Sequence, residues 1–316
     1  MNVSPSLRMI NLGCGHRFHP DWVNVDIDPS DPAVTACDLS QPLPFAEGNF
    51  DVVYHSNVLE HIRREQATGF LRECGRILKP GGILRVAVPD LERICSLYLE
   101  KLQQAAAGDA AAAHDYDWML LEMYDQTVRE KCGGGMLDYL RQDPLPNEPF
   151  VLERIGQEGS QLIDAVRSLP PPAPQSPTQT APAKQHAASP PPPNKRPGLR
   201  EIIRRPRTLF EMLRGKSRVL PEVSAPAPAA CNKPLSAEEQ RALDIGRFRL
   251  AGEVHQWMYD RFSLARLMKD SGFVSPQLMT PQSSKIPGWA DFHLEVGTDG
   301  AVHKPDSFVM ECLKPG

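Results

Sequence analysis

Short apolar runs ended by glycine, proline or an acid recur along the first ninety residues. Met9-Ile10-Asn11-Leu12 runs into Gly13-Cys14-Gly15, and Val23-Asn24-Val25 runs into Asp26. Val34–Cys37 precedes Asp38-Leu39, and Phe50-Asp51-Val52-Val53-Tyr54 precedes Ser56-Asn57. Ile83–Val88 ends at Pro89-Asp90. Runs of this length with little alternation predict strands buried on both faces, as in a parallel sheet. Between the fourth and fifth runs the period changes. Phe70, Leu71, Cys74, Ile77 and Leu78 recur at helical spacing and predict a helix over Glu65 to Leu78, stopped by Pro80-Gly81-Gly82.

Further on, residues 91–165 read as helical, interrupted at Cys132-Gly133-Gly134-Gly135, which suits either a hinge beside a site or a cap and turn. A helix starts at Ser236, an N-cap serine followed by acids, and its pattern extends to Tyr259. A second helix starts at Ser263 and ends at Ser271-Gly272-Phe273. A turn at Thr298-Asp299-Gly300 precedes a final strand, Ser307–Leu313.

Composition explains the gap between the two ordered parts. The 316 residues include 32 prolines, about twice the usual share of roughly 5%. They concentrate from Pro170 to about Pro197, a stretch of Pro, Ala, Gln, Ser and Thr that cannot bury a core. Lys195–Arg218 follows, dense in arginine with Ile202, Ile203, Leu209, Phe210 and Leu213 interleaved. This pattern suits a solvated helix, or an amphipathic one making weak contact with an anionic membrane surface. The expected organisation is one domain from 1–165 and 235–316, with 166–234 inserted. The net charge of -4 gives no bias toward nucleic acid, and no basic, aromatic-rich strip suggests it as a partner. Seven scattered cysteines form no C-x-x-C pair, and no apolar leader or run of about 18 apolar residues occurs. The expectation is a soluble cytoplasmic protein.

The chemistry lies in Arg8 to Asp28. Strand, glycine bend, strand, acid is a nucleotide cradle, in which the acid accepts hydrogen bonds from a ribose diol. A dinucleotide site wants a third glycine where Phe18 stands, and an acid about 20 residues on, later than Asp26. No Gly-Lys-Ser/Thr follows, which excludes a P-loop. An adenosine ligand without phosphate remains, and S-adenosylmethionine (SAM) fits; the same bend also occurs in α/β proteins that bind nothing there.

NLGCG, VNVDID, CDLSQPLPF, NFDVVYHSNVLEHI and RILKPGGILRVAVPD together resemble a class I SAM-dependent methyltransferase of the type 11 sort. The resemblance implies a Rossmann-like α/β fold: a seven-stranded sheet with helices on both faces, order 3-2-1-4-5-7-6, last strand antiparallel. It implies that Gly13 and Gly15, flanking Cys14, approach the methionine part of SAM. Asp26 holds the ribose hydroxyls, Asp38 and the Leu39 backbone meet the adenine, and Ser56 and Asn57 flank the methionine moiety. The Gly15-to-Val23 link, with Pro20, is too short for a full crossover helix. The run Asp21-Trp22-Val23-Asn24-Val25-Asp26 is similar to a subgroup with that short link, associated with surface-glycan synthesis.

The expected reaction is methyl transfer to a hydroxyl or amine of a small molecule or glycan. His61 and His55 are the candidate general bases, by their position after the fourth strand. Some members of the family that methylate phenols hold a divalent ion with Glu-x-x-Glu-His. Asn57 stands at the first of those positions, so no metal is expected. His255, Trp257, Tyr259 and Asp260 suit either a sugar-binding rim or a helix packing face. The competing reading is a non-catalytic SAM- or nucleotide-binding module that recruits a partner through its basic insertion.

Overall fold

In the computed structural model, which describes residues 7–168 and 235–316, seven strands form one sheet in the order β3-β2-β1-β4-β5-β7-β6. They are β1 (Met9–Leu12), β2 (Val23–Asp26), β3 (Val34–Ala36), β4 (Phe50–Ser56), β5 (Leu78–Pro89), β6 (Val274–Met279) and β7 (Ser307–Leu313). The first five pair in parallel, and β7 runs antiparallel between β5 and β6. This is the predicted doubly wound sheet. The described residues, Leu235 excepted, belong to one compact unit. The Pro-rich stretch and Lys195–Arg218 lie outside them.

Alternation along β4 divides the sheet's two faces. Phe50 and Val53 join a core with Ile10, Leu12 and Val25 and with Phe70, Leu71, Cys74 and Ile77 of α1 (Arg64–Ile77). His55 shares that face. It is fully buried, its ring lies 5.3 Å edge-on to Phe70, and neither ring nitrogen has a hydrogen-bond partner. Burial pulls its pKa down to about 3. The base role expected of His55 is therefore corrected: it is a neutral core residue, set beneath the sheet edge and away from solvent.

The opposite face carries Met9, Val52 and Tyr54, and its cover is unusual. The link between β1 and β2 holds no helix. Two buried asparagines in register, Asn11 and Asn24, satisfy three of its carbonyls instead. Asn11 donates to Arg17 O (3.0 Å), and Asn24 donates to His19 O and Trp22 O (both 2.9 Å). Trp22 then packs in a third core with Tyr54, Ile286, Trp289 and Leu294. The long β6–β7 connection, through a 3-10 turn at Trp289–Phe292, thus covers the area beside the short link.

Arg85, at the centre of β5, holds that connection down. It is fully buried and makes paired bonds to Glu295 (3.0 and 2.5 Å) and one to Glu311 (2.6 Å). It also donates to Ser283 O and Thr280 O, and its guanidinium lies 4.1 Å from the Trp289 ring centroid. The pairing of a planar fork with two carboxylates and an aromatic face suits arginine and not lysine.

The longer remaining helices are α2 (Leu91–Ala106), α3 (Ala110–Leu120), α4 (Gly134–Leu140), α5 (Glu148–Arg167), α6 (Ala237–Leu250) and α7 (Arg261–Asp270). Helices α2 to α5 enclose a second core around Trp118, Met119, Leu140 and Val151. The triple glycine starts α4: Gly133 has φ +73°, and Asp125 accepts from the N–H groups of Gly135 and Met136. Helix α6 ends at Leu250, short of the expected Tyr259, because the chain turns at Ala251-Gly252. Asp260, with Ser263, forms a capping box that opens α7. Among the described residues no helix is long and apolar enough to cross a membrane.

Two stability tests follow from these cores. Arg85→Met leaves Glu295 and Glu311 buried without a cation and lowers stability by about 3–5 kcal/mol in chemical denaturation. Adding Glu295→Gln and Glu311→Gln recovers part of that loss; a single variant within about 1 kcal/mol of wild type refutes the clamp. The second test concerns His55. An unfolded histidine titrates near 6.5, so below that pH the unfolded chain takes up a proton the buried ring refuses. Its contribution to stability is whole above 6.5 and drains as pH falls toward 3, at up to about 1.4 kcal/mol per pH unit. The fall in melting temperature between about pH 7.5 and about pH 5 is therefore smaller in His55→Leu than in wild type. An equal fall in both refutes this account.

Candidate active site

Strands of a parallel sheet end together, and in this fold ligands bind outside their carboxyl ends. There the chain bends at Gly13-Cys14-Gly15. The N–H groups of Gly13 and Cys14 both donate to Val25 O (2.8 and 3.1 Å), which ties the bend to β2. Gly15 N–H donates to Asp26 Oδ2 at 2.8 Å, and Asp28 N–H donates to Asp26 Oδ1 at 3.1 Å. The two glycines serve different ends. Gly13 has φ +66°, and a Cβ there would meet Val58 Cγ2 at 2.5 Å. Gly15 has φ +52° and faces open space, with nothing within 4 Å of where a Cβ would stand. Gly13 is thus required by packing, and Gly15 by backbone conformation beside an open approach.

Cys14 is buried, its Sγ 3.6 Å from Gly15 O, and burial first and the Asp26 charge second push its pKa up to about 11. It is a thiol and not a nucleophile. Asp38 is exposed, and its bonds from Ser40 hold its carboxyl below the usual range. The Leu39 side chain passes within 3.5 Å of the Cβ direction of Gly13. Asn57 has φ +53°, a left-handed conformation that asparagine tolerates better than most residues. It is held by its N–H to Ala87 O (2.9 Å), by Ser56 Oγ–H to its Oδ1 (3.1 Å) and by its Nδ2–H to Ser307 Oγ (3.3 Å).

A cleft of about 640 Å³ opens over this edge. Gly13, Cys14, Gly15, Ser56 and Asn57, singled out from sequence, all line it. Asp26 stands one hydrogen bond behind the bend, and Asp38 and Leu39 also lie outside the lining. The far wall comes from residues that no local motif announces: Gln161 of α5, and Leu294, His303 and Lys304 of the β6–β7 connection. His16 and Arg17 complete it from the short link. The cleft wall carries basic and amide groups and no carboxylate among its lining residues.

His61 does not line the cleft. It ends the 3-10 turn Leu59–His61, next to the fully buried Glu60, and faces His255 with ring centroids 4.7 Å apart. Burial pulls His61 down to about 4 and His255 to about 2, and pushes Glu60 up to about 7. Tyr259, also buried, is raised to about 12 by burial and by the charge of Glu60. Trp257 is partly exposed and stacks on the Arg64 guanidinium at 4.3 Å. His255, Trp257, Tyr259 and Asp260 therefore form neither a sugar-binding rim on this cleft nor a helix face.

Residues 11–86 match the family model described as a methyltransferase domain. No curated protein matches the chain. Among solved structures, the chain is similar to the 1,6-didemethyltoxoflavin-N1-methyltransferase of Burkholderia thailandensis, solved with 1,6-didemethyltoxoflavin and S-adenosylhomocysteine (18% identity, 27% of this chain and 45% of that one, TM-score 0.23). It is also similar to SAM-dependent methyltransferases of Mesorhizobium loti (19% identity, 27% and 48%, TM-score 0.22) and Archaeoglobus fulgidus (18% identity, 30% and 52%, TM-score 0.25). The match spans about half the length of each of these. Residues 11–86, which hold the glycine bend, Asp26, Asp38, Ser56 and Asn57, thus carry the sequence signature of a methyltransferase domain on the strand order that such a domain predicts.

Proposed function

We propose that the protein is a SAM-dependent methyltransferase acting on a hydroxyl or amine of a small molecule or glycan held in the cleft. The observation that carries this reading is the contact between Gly15 N–H and the Asp26 carboxylate, on a bend whose outer side is open. The fit to SAM is chemical. Asp26 has spent one lone pair per oxygen on the backbone and keeps others for a ribose diol. Gly15 leaves room for a chain to pass, and Ser56 and Asn57 offer hydroxyl and amide groups beside it.

When bound, SAM supplies an activated methyl on a sulfonium, with a neutral thioether as leaving group. The protein's part is to align an acceptor in line with that bond, exclude water and accept a proton. The exposed amide of Gln161 on the cleft wall suits a hydroxyl-bearing acceptor. His16 and His303 face the cleft and take over the proton-accepting role first assigned to His61 and His55. The glycan subgroup, suggested by Asp21-Trp22 and the short link, is the narrower form of this proposal.

Calorimetric titration tests it. Wild type binds SAM and S-adenosylhomocysteine saturably. Asp26→Ala loses charge-assisted bonds of about 1.5–3 kcal/mol each and weakens binding by at least about tenfold. Asp26→Asn, which keeps one acceptor for Gly15 N–H, falls between. Absence of SAM affinity in the wild type refutes the assignment. Unchanged affinity in Asp26→Ala refutes the placement of the ribose.

A further inference from the structure

We propose that Glu60, His61 and His255 form a binding site for one divalent transition ion of the zinc class. The inference does not depend on the methyltransferase reading.

One carboxylate oxygen of Glu60 and one ring nitrogen of each histidine lie within 4.8 Å of one another. The two halves of the cluster come from distant parts of the chain and are brought together by backbone bonds. Glu60 and His61 sit on the turn after β4. His255 lies on the segment after α6, where Gln256 N–H and Trp257 N–H both donate to Glu60 O (2.6 and 3.2 Å). His255 N–H donates to Gln126 O (2.9 Å), which fixes the start of that segment.

The second observation is the state of the side chains. Glu60 is fully buried and His255 nearly so. Both Glu60 carboxylate oxygens, His61 Nδ1 and His255 Nδ1 are buried without a well-aligned hydrogen bond, although Asn57 bears on Glu60 and the backbone of Gly252 and Val254 on His61. One such atom in a native protein calls for an explanation, and their occurrence on all three residues of one cluster calls for a shared one. A bound water donates only two hydrogen bonds, whereas a cation accepts a lone pair from every group at once. Two imidazoles and one carboxylate are a donor set for zinc, cobalt or another late first-row ion, not for calcium or magnesium. Zinc bonds of about 2.0–2.2 Å set tetrahedral donors about 3.4 Å apart, so the three side chains close inward on the ion. Lys304, whose positive charge bears on all three groups, is offset by an ionised Glu60.

None of the three residues lines the cleft. The ion therefore acts by pinning residues 252–260 to the turn Leu59–His61, and Tyr259 of that segment bridges to Asp90 at the end of β5. His255, from a distant part of the chain, supplies the third ligand that Asn57 cannot, and the proposed site thus departs from the expectation of no metal drawn from the Asn57-x-x-Glu60-His61 spacing alone.

The test uses the full chain, stripped with EDTA and titrated with Co²⁺. The expected result is one equivalent per chain, a visible absorption of a four- or five-coordinate nitrogen/oxygen site, displacement by Zn²⁺, and a higher melting temperature with Zn²⁺. His255→Ala and Glu60→Gln each weaken binding by more than about a hundredfold, since even outer partners of a metal site cost 10–100-fold. Glu60→Gln preserves shape, so its loss of Co²⁺ absorption, with melting retained without metal, reads coordination and not folding. No stoichiometric uptake by wild type, a site filled by water only, overturns the proposal. Binding unchanged in both variants overturns it equally, by placing the ion elsewhere.

Discussion

A single buried guanidinium organises the half of the sheet that the glycine bend does not. Arg85 has no exposed surface and two carboxylate partners, with carbonyls of the β6–β7 connection completing its fork. Burial raises Glu295, and its bonds to Arg85 act in the opposite direction. Such a network adds little net stability over a well-packed apolar core, because the desolvation of each ion is so costly. Its consequence is positional. The connection carrying Trp289, Leu294, His303 and Lys304 has one 3-10 turn and little regular ladder to place it. Bonds to a rigid central strand locate it instead, and the far wall of the cleft inherits that location.

The short β1–β2 link creates the need for this arrangement. A full crossover helix would cover the face that bears Met9, Val52 and Tyr54. Here Trp22 and the β6–β7 connection fill that space, with edge-on aromatic contacts among Trp22, Tyr54, Trp289 and Phe292. Edge-to-face pairs add roughly 0.5–1.5 kcal/mol each beyond the area they bury. Asn11 and Asn24 complete the substitution by pairing the carbonyls of Arg17, His19 and Trp22. Abbreviated link, asparagine pair and covering connection form one solution to one problem: a sheet face that must be buried without a helix.

These relations explain what could be read from the chain and what could not. β1, β2, β4 and β7 were legible because burial leaves mainly apolar runs with little alternation, and β1 and β2 also end in glycine or an acid. The bend, Asp26 and the Ser56-Asn57 edge were legible because they lie within a few residues of such runs. β6 was not, since it is an edge strand that exposes most of its length, holds Pro276 and bulges at Ser275 with φ +53°. The end of α6 was misplaced because Val254, Met258 and Tyr259 continue an apolar pattern after Gly252 has already turned the chain. His55 was misassigned for a related reason. Proximity to the sheet edge in sequence does not say which face a strand residue takes, and position 55 falls on the α1 side.

The residues that remained hidden share a physical character. Gln161, His303 and Lys304 on the cleft lie on segments that sequence-local motifs do not place, and His255, singled out from sequence for another role, reaches Glu60 only through long-range bonds. A local motif encodes backbone shape within a turn or a strand, as Gly13 and Gly15 do. It cannot encode a partner whose distance depends on a sheet closing hundreds of residues later. His255 makes the point most sharply. Its place opposite His61 is set by two N–H groups reaching Glu60 O and by Asp260 opening α7 immediately after, so three ordinary backbone features converge on one buried cluster. The cleft wall, carried by the β6–β7 connection, depends on strands β5 and β7 meeting in register, whereas this interior constellation is placed by backbone bonds from residues 255–257 to Gln126 and Glu60.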